Sequence, residues 1–239
     1  VTNYGANCNA EGAMGIGKGC SFDGVNDYVD TVNKVLFTTE FTIETWFNSN
    51  EWAAWPTDYG MDVLVSKWGR RAGVDYGYRF ERFYGAGPFG IIVSSGVDQG
   101  GVSASVPISS VSTNTWHHAV ATFKGGSFIR LYLDGVLVSE NTVGIYSQVT
   151  DMYDRPLRIG VMNDNYGWFN GTIDEVAIYS KALSAEEIQQ HYNAQKAKFT
   201  DWTTGKYGNA LSFDGVDDYV DMGNPASLRM VNNLTIELW

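Results

Sequence analysis

Apolar and polar residues alternate along several segments of the chain, and this two-residue period predicts β-strands. The clearest segment is Phe-Thr-Ile-Glu-Thr-Trp-Phe at residues 41–47. The same signal recurs at residues 63–68, 76–84, 90–94, 116–123, 128–133, 136–138, 157–159 and 171–179. Asp134-Gly135 stands between two of these segments and is a strong signal for a two-residue hairpin turn. The pattern therefore predicts a chain built mainly of antiparallel strands.

One segment has a helical pattern instead. Ser184-Ala-Glu-Glu187 is a capping box, and Leu183, Ile188 and Tyr192 share one side of a helix that is predicted to end near residue 194. About a dozen strands and one short C-terminal helix predict an all-β fold, a sandwich of two antiparallel sheets. The predicted core consists of Phe22, Tyr28, Ile43, Trp46, Val120, Leu131, Leu133, Ile173 and Val176.

A ten-residue segment is repeated nearly unchanged in the chain. The segment at residues 21–30 returns at residues 212–221 with one difference, Asn26 against Asp217, and the motif at residues 42–46 returns in similar form at 235–239. Because this spacing is the length of a whole domain, it predicts a complete domain followed by the start of a second copy. We divide the chain into a domain at 1–194, a linker at 195–204 and the opening strands of an incomplete copy at 205–239.

The incomplete copy would expose apolar residues and unpaired strand edges if it stood alone. We therefore predict that its strands pair with the sheet of a neighbouring chain, which would join the modules head to tail. The alternative is that residues 205–239 pack back on the first domain and give a monomer.

The composition excludes some classes of function. A net charge of −11 and an isoelectric point near 4.6 argue against nucleic-acid binding. No apolar run approaches the roughly 20 residues that a membrane-spanning helix needs, so no membrane insertion is expected. An acidic surface is typical of a secreted protein and provides carboxylates for calcium.

The two cysteines, Cys8 and Cys20, flank a glycine-rich stretch. They would form a disulfide that fastens the N-terminal loop if the protein is extracellular. The alternative is a buried free thiol, because Cys20 corresponds to Leu211 in the repeated segment.

The motifs at residues 21–29, 41–46, 116–120, 131–135, 169–179 and 182–188 together resemble a laminin-G-like module of the concanavalin A-like lectin/glucanase superfamily. The order and spacing match over residues 14–194 and again over 205–239. This resemblance implies a jelly-roll sandwich that is usually extracellular and often holds a calcium ion. It specifies function weakly, because the superfamily includes lectins, adhesins, glycosidases and inert spacers.

A structural calcium ion is one expectation from the resemblance. Asp23, Asn26 and Asp27 crowd a turn near the start of the domain, and Asp174 lies on its closing strand. Because the first and last strands are neighbours in such modules, these oxygens would converge on one ion. The alternative interpretation is that Asp23 and Asp27 build an Asx-turn and that Asp174 accepts hydrogen bonds from backbone amides.

The sequence shows no recognisable catalytic centre. Glucanases of this superfamily carry three acidic residues that alternate along one strand, and such a run does not occur here. His117 and His118 are adjacent on a strand and face opposite ways, and with His191 they do not have the spacing of a zinc site. We therefore predict that the protein is not an enzyme.

Two loops have the composition of a saccharide site, in which aromatic rings stack on the sugar while amides and carboxylates bind its hydroxyls. One contains Trp52, Trp55 and Tyr59, and the other contains Asn163, Asp164, Tyr166 and Trp168. The alternative is that these aromatic rings pack beneath their own loops. Asn170-Gly-Thr and Asn233-Leu-Thr are candidate glycosylation sites.

These observations predict a non-catalytic extracellular recognition or adhesion module, with a glycan or a cell-surface or matrix component as its partner. A second hypothesis is a structural repeat of an extracellular fibre or surface layer, assembled by strand donation. The third and least favoured is a glycoside hydrolase.

Overall fold

Two seven-stranded antiparallel sheets, sheet A and sheet B, contain most of the strands that the structure describes. The computed structural model describes residues 1–13, 17–31, 38–53, 60–85, 87–97, 101–150, 155–199, 202–205 and 208–211. No helix among these residues is both long and apolar enough to cross a bilayer. The predicted all-β sandwich with one C-terminal helix is confirmed.

Strands are numbered in chain order. Sheet A runs in the order β1 (Thr2–Tyr4), β4 (Tyr28–Asp30), β13 (Arg158–Ile159), β6 (Asp62–Arg71), β7 (Val74–Arg82), β8 (Phe89–Ser95) and β9 (Val102–Val106). Sheet B runs in the order β12 (Val136–Asn141), β11 (Phe128–Leu133), β10 (His117–Lys124), β5 (Glu40–Ser49), β14 (Asn170–Tyr179), β3 (Lys18–Asp23) and β2 (Asn7–Glu11). A 3-10 turn at Ile108–Ser110 follows β9, and helix α1 spans Ala185–Phe199.

The main core lies between the two sheets. The central strand β5 sends Phe41, Ile43 and Phe47 into it, where Phe47 stacks on Phe89 of sheet A with ring centroids 5.2 Å apart. These side chains are fully buried, and burial of each stabilises the fold by about 1.5–3 kcal/mol. Successive residues of β5 point to opposite faces of sheet B, so alternate side chains enter the core between the sheets.

Helix α1 covers the other face of sheet B. Val120 and Tyr132 of the sheet contact Leu183 and Ile188 there. The predicted capping box is confirmed at the start of the helix, where the Glu187 N–H donates to Ser184 Oγ at 3.2 Å and the Ser184 N–H donates to Glu187 Oε2 at 2.9 Å. The helix continues to residue 199, so the first half of the predicted linker is helical.

The predicted core needs two corrections. Trp46 and Val120 are buried, but they lie beneath α1 and not between the sheets. Tyr28 is only half-buried, as is Val176. Alternation shows which residues share a face of a sheet. It does not show whether that face is covered by the other sheet, by a helix or by solvent.

Five strands of the two sheets were not among those predicted from alternation: β1, β2, β3, β4 and β9. The sequence of β9, Val-Ser-Ala-Ser-Val, does alternate and carries the expected signal. Strand β1 pairs with β4 in sheet A, whereas β2 pairs with β3 in sheet B, so the N-terminal residues contribute to both sheets.

A two-stranded hairpin follows α1. Strand β15 (Trp202–Gly205) pairs with β16 (Gly208–Leu211) in a sheet of their own. Most of the incomplete copy, including its repeated decapeptide at 212–221, lies outside the described residues. Its pairing with a neighbouring chain and the domain division therefore stay predictions.

The structure contains a disulfide between Cys8 of β2 and Cys20 of β3. A cross-link that closes a loop of this length stabilises a fold by about 2–4 kcal/mol, chiefly by restricting the unfolded chain. We expect the Cys8→Ser/Cys20→Ser variant to unfold at a lower denaturant concentration in chemical denaturation. Reduction of the wild type should reproduce the loss, and an unchanged midpoint would contradict it.

Candidate functional site

The outward face of sheet A collects aromatic and charged side chains. Strand register places them there: Tyr4 is opposite Tyr28, and Arg158 is opposite both Asp30 and Ser66. Val29 lies between Tyr28 and Asp30 and points into the core, so its two neighbours point outward. The edge of this face that is formed by β1, β4 and β13 is called the edge cluster below. It consists of Tyr4, Tyr28, Asp30, Arg158, Asn165 and Trp168.

Three side chains of the edge cluster form a row across the strands. The rings of Tyr4 and Tyr28 stack with centroids 4.4 Å apart, and the Arg158 guanidinium carbon lies 4.6 Å from the Tyr28 centroid. Trp168 contacts Tyr28 with ring centroids 5.9 Å apart. Tyr4 remains 44% exposed, so its ring is available to a ligand.

Hydrogen bonds fix the guanidinium group of Arg158. Its Nε donates to Asp30 Oδ1 at 2.8 Å, and its Nη1 donates to Asn165 Oδ1 at 2.6 Å and to the Asn163 carbonyl at 3.2 Å. A planar group held by three bonds and a ring contact loses little further freedom when a ligand binds. The edge cluster is therefore preorganised.

The second loop that was predicted as a saccharide site contributes to the edge cluster only in part. Trp168 belongs to it. Tyr166 packs instead with Met162 and Trp68, and Asp164 forms an ion pair with Arg155. Arg158, Asp30 and Tyr4 were not predicted, although the alternation in Tyr-Val-Asp of β4 already indicates which two side chains point outward.

Asn163 has a structural role. It is buried, its Oδ1 accepts hydrogen bonds from Ser66 Oγ at 3.2 Å and the Trp68 N–H at 2.8 Å, and its Nδ2 donates to the Pro156 carbonyl at 2.9 Å. The loop can approach strand β6 closely because Gly167, with φ of 76°, has no Cβ to clash with Val63. Asn163 therefore positions the loop, and its described bonds engage both ends of its amide.

The first predicted loop is described only at its start. Trp52 is partly buried against Phe47 and Phe89, and its Nε1 donates to the Val111 carbonyl at 3.2 Å. This ring is part of the core, as in the alternative interpretation. Trp55 and Tyr59 lie outside the described residues, and their role stays a prediction.

The predicted calcium ligands do not converge. Asp23 is paired with Asn170 on β14, whereas Asp174 lies four residues further along that strand, which is about 13 Å away. Asp23 Oδ1 accepts from Val25 N–H, Asp27 Oδ2 accepts from Asp23 N–H, and Asp174 Oδ2 accepts from Ala13 N–H. No group of three possible metal ligands occurs among the described residues. The geometry thus does not fit one shared ion, and calcium binding stays a prediction.

The candidate glycosylation residue Asn170 is partly buried between two neighbours. Its Nδ2 donates to Glu51 Oε1 and its Oδ1 accepts from Asn50 Nδ2, both at 2.9 Å. These bonds join the start of β14 to the end of β5. Asn233 lies outside the described residues, so glycosylation at both sites stays a prediction.

A family model described as the concanavalin A-like lectin/glucanases superfamily, of the laminin-G type, matches residues 23–189. The chain belongs to this superfamily. No curated protein matches it in sequence. We refer to its sandwich as the laminin-G-like domain.

Solved structures with a similar fold include the receptor-binding domain of botulinum neurotoxin D, with a TM-score of 0.61, 16% identity, and coverage of 88% of this chain and 50% of that one. A serotype D ligand-binding domain in complex with N-acetylneuraminic acid has a TM-score of 0.58 and 16% identity, covering 88% and 48%. The chain spans about half the length of these structures. At this identity the likeness shows a shared fold.

Two hydrogen-bonded histidines lie in sheet B of the laminin-G-like domain. His117 bonds Asp134 Oδ2 through Nδ1 at 2.9 Å and Ser112 Oγ through Nε2 at 3.0 Å, an arrangement that the sequence did not predict. Asp134, His117 and Ser112 are thus hydrogen-bonded in the same sequence as the Asp, His and Ser of a serine hydrolase triad. Asp134 Oδ1 also accepts from the His118 N–H, so these bonds tie the exposed Ser112 loop to the β11–β12 turn, and we interpret them as structural.

The second histidine lies beneath α1. His118 Nε2 and His191 Nδ1 bond the two oxygens of buried Glu44, at 2.8 and 3.0 Å. Burial alone would raise the pKa of Glu44, but these hydrogen bonds outweigh it and hold the pKa below its ordinary value. The contacts fasten α1 to the laminin-G-like domain. Both histidines of the adjacent pair are thus buried, although they face opposite ways on the strand.

Glu81 lies on the outward face of sheet A but is fully buried. Arg79 Nε is 3.1 Å from Glu81 Oε1, and its guanidinium stacks over Trp68 at 4.4 Å. Neither carboxyl oxygen of Glu81 has a hydrogen-bond partner among the residues that the structure describes. Burial therefore raises the pKa of Glu81 to about 7, although the charges of Arg79 and Arg82 oppose the rise.

Proposed function

We propose that the laminin-G-like domain is a non-catalytic extracellular module that binds a carbohydrate at the edge cluster. The observation that carries this proposal is the exposed ring of Tyr4, stacked on Tyr28 beside the fixed guanidinium of Arg158. Sugar rings pack their C–H faces on aromatic rings, while arginine, carboxylate and amide groups bind their hydroxyls. The cluster supplies both kinds of contact.

Two further findings support this proposal. The domain belongs to a superfamily that includes lectins, and a protein with the same fold is known in complex with N-acetylneuraminic acid. The Cys8–Cys20 disulfide is consistent with an oxidising, extracellular location.

Removal of the Tyr4 ring should weaken glycan binding. Tyr4→Ala deletes the exposed stacking surface, and loss of a central aromatic contact reduces affinity by about tenfold or more. We expect this variant to lose signal on a glycan array and to show the higher Kd in calorimetry with the glycan that the array identifies. Trp168→Ala should act in the same direction by removing support for Tyr28.

Leu137→Ala is a matched control, because Leu137 has the same exposure as Tyr4, 44%, but lies on β12 in the other sheet. Its affinity should equal that of the wild type. If Tyr4→Ala binds as tightly as the control, the saccharide does not lie at the edge cluster.

A structural repeat is the second candidate. It is favoured by the repeated decapeptide and by the hairpin of β15 and β16, which spans the boundary between the predicted linker and the incomplete copy. Electron microscopy of the sample that is applied to the array separates the two functions. Filaments without glycan binding would support the repeat, whereas binding by dispersed particles would support the recognition module.

A further inference from the structure

Arg158 has few donors left for a charged ligand. A guanidinium group has five N–H bonds and grips a carboxylate through two adjacent ones, on either the Nε–Nη2 or the Nη1–Nη2 edge. Asp30 occupies Nε, and Asn163 and Asn165 occupy Nη1. On each edge only Nη2 is left to donate. Arg158 therefore cannot form two parallel hydrogen bonds to a sugar carboxylate.

The charges around Arg158 are already balanced. Asp30 lies 2.8 Å from its Nε, and the neighbouring Arg155 is paired with Asp164. Among the described residues, an acidic sugar would therefore approach Asp30 without an uncompensated cation nearby, on a chain whose net charge is −11. Both the donor geometry and the charge oppose an anionic ligand.

A hydroxyl group fits the same place well. Asp30 Oδ2 makes no hydrogen bond within the part of the chain that the structure describes, and its carboxylate is held at Arg158 by the 2.8 Å bond from Nε to Oδ1. A hydroxyl donates and accepts at once, so it can bond both groups. Exposed Asn165 adds an amide, and Tyr4 offers its ring.

We propose that the edge cluster takes neutral saccharides and that Asp30 determines this specificity by occupying Arg158 and repelling sugar acids. The proposal rests on the carbohydrate-binding function proposed above. It assigns to Asp30 a selective role that a merely structural ion pair would not have.

The test compares pairs of glycans that differ only in a terminal acidic sugar, such as lactose and sialyllactose. The wild type should bind the neutral member more tightly. Asp30→Ala frees the Nε–Nη2 edge and removes the negative charge, so the ratio of acidic to neutral affinity should rise about tenfold or more. Asp30→Asn removes the charge but keeps an oxygen for Nε, and we expect a smaller rise.

The matched control is Glu140→Ala, which removes the carboxylate from a similar, partly exposed pair with Arg130 on sheet B. It should leave the ratio unchanged. Thermal melts of the variants establish that each is folded, and Asp30→Asn serves as the test if Asp30→Ala is not.

The outcomes separate the two proposals. A wild type that prefers the acidic members, or an Asp30 variant that binds neutral glycans with an unchanged ratio, would overturn the role of Asp30 and leave carbohydrate binding intact. Failure of the wild type to bind any glycan would overturn both.

Discussion

Replacing Asp62 by alanine is expected to lower the free energy of unfolding by about 3–5 kcal/mol. Asp62 Oδ2 accepts a hydrogen bond from Arg82 Nε at 2.6 Å, and the two side chains are only 1% and 2% exposed. Without the carboxylate, the guanidinium charge of Arg82 would remain buried without its counterion. The same aspartate accepts from the Ala53 N–H, so the variant also loosens the start of the Trp52 loop.

Chemical denaturation measures this effect. Glu140→Ala is the matched control, because Glu140 pairs with Arg130 and the two side chains are 36% and 30% exposed. Loss of such a surface pair changes stability by about 1 kcal/mol or less. The double variant Asp62→Leu/Arg82→Met should recover much of the loss, since it leaves no unpaired charge. A loss for Asp62→Ala no larger than that of the control would show that Arg82 finds another counterion.

Replacing Glu81 by glutamine should change how stability depends on pH. The pKa of Glu81 in the folded protein is about 7, above its ordinary value of 4.5, so the folded state favours the protonated carboxyl. The contribution of Glu81 to stability is therefore greatest below about pH 4.5 and falls as the pH rises towards 7. The decrease amounts to about 3 kcal/mol, at 1.36 kcal/mol for each pKa unit.

Glutamine keeps the shape of the side chain and cannot ionise. The free-energy difference between Glu81→Gln and the wild type should therefore move in favour of the variant from pH 4.5 to pH 8, by up to about 3 kcal/mol. Exposed Glu11 on β2 provides the control, because Glu11→Gln removes a charge without a burial penalty. Parallel pH profiles for the wild type and Glu81→Gln would show that Glu81 ionises freely.

Local chemistry made much of the fold predictable. The capping box at Ser184 and the Asp134-Gly135 turn each depend on a few neighbouring residues, and both occur in the structure. Asp134 and Gly135 have φ angles of 50° and 79°, which is the geometry that this dipeptide favours in a hairpin. Period-two alternation similarly identified most strands.

The edge cluster was less predictable because its members are brought together by the sheet. Asp30 and Arg158 are 128 positions apart in the chain, and their contact follows from strand order, which alternation does not reveal. Loop composition drew attention to aromatic residues such as Trp52, but a ring in a loop can pack into the core as readily as it can face a ligand. Of the six residues of the edge cluster, only Trp168 was predicted from the sequence as a ligand-binding residue.

The position of Tyr4 has a mechanical consequence. Tyr4 belongs to β1, an edge strand of three residues, whereas Cys8 on the next strand is bonded covalently to Cys20. Tension applied at β1 would first detach these three residues and then stop at the disulfide, with the two sheets still joined. Tyr28 and Arg158 would stay in place while their stacking partner left. A saccharide bound at the edge cluster, as we propose, would thus be released under load before the laminin-G-like domain unfolds.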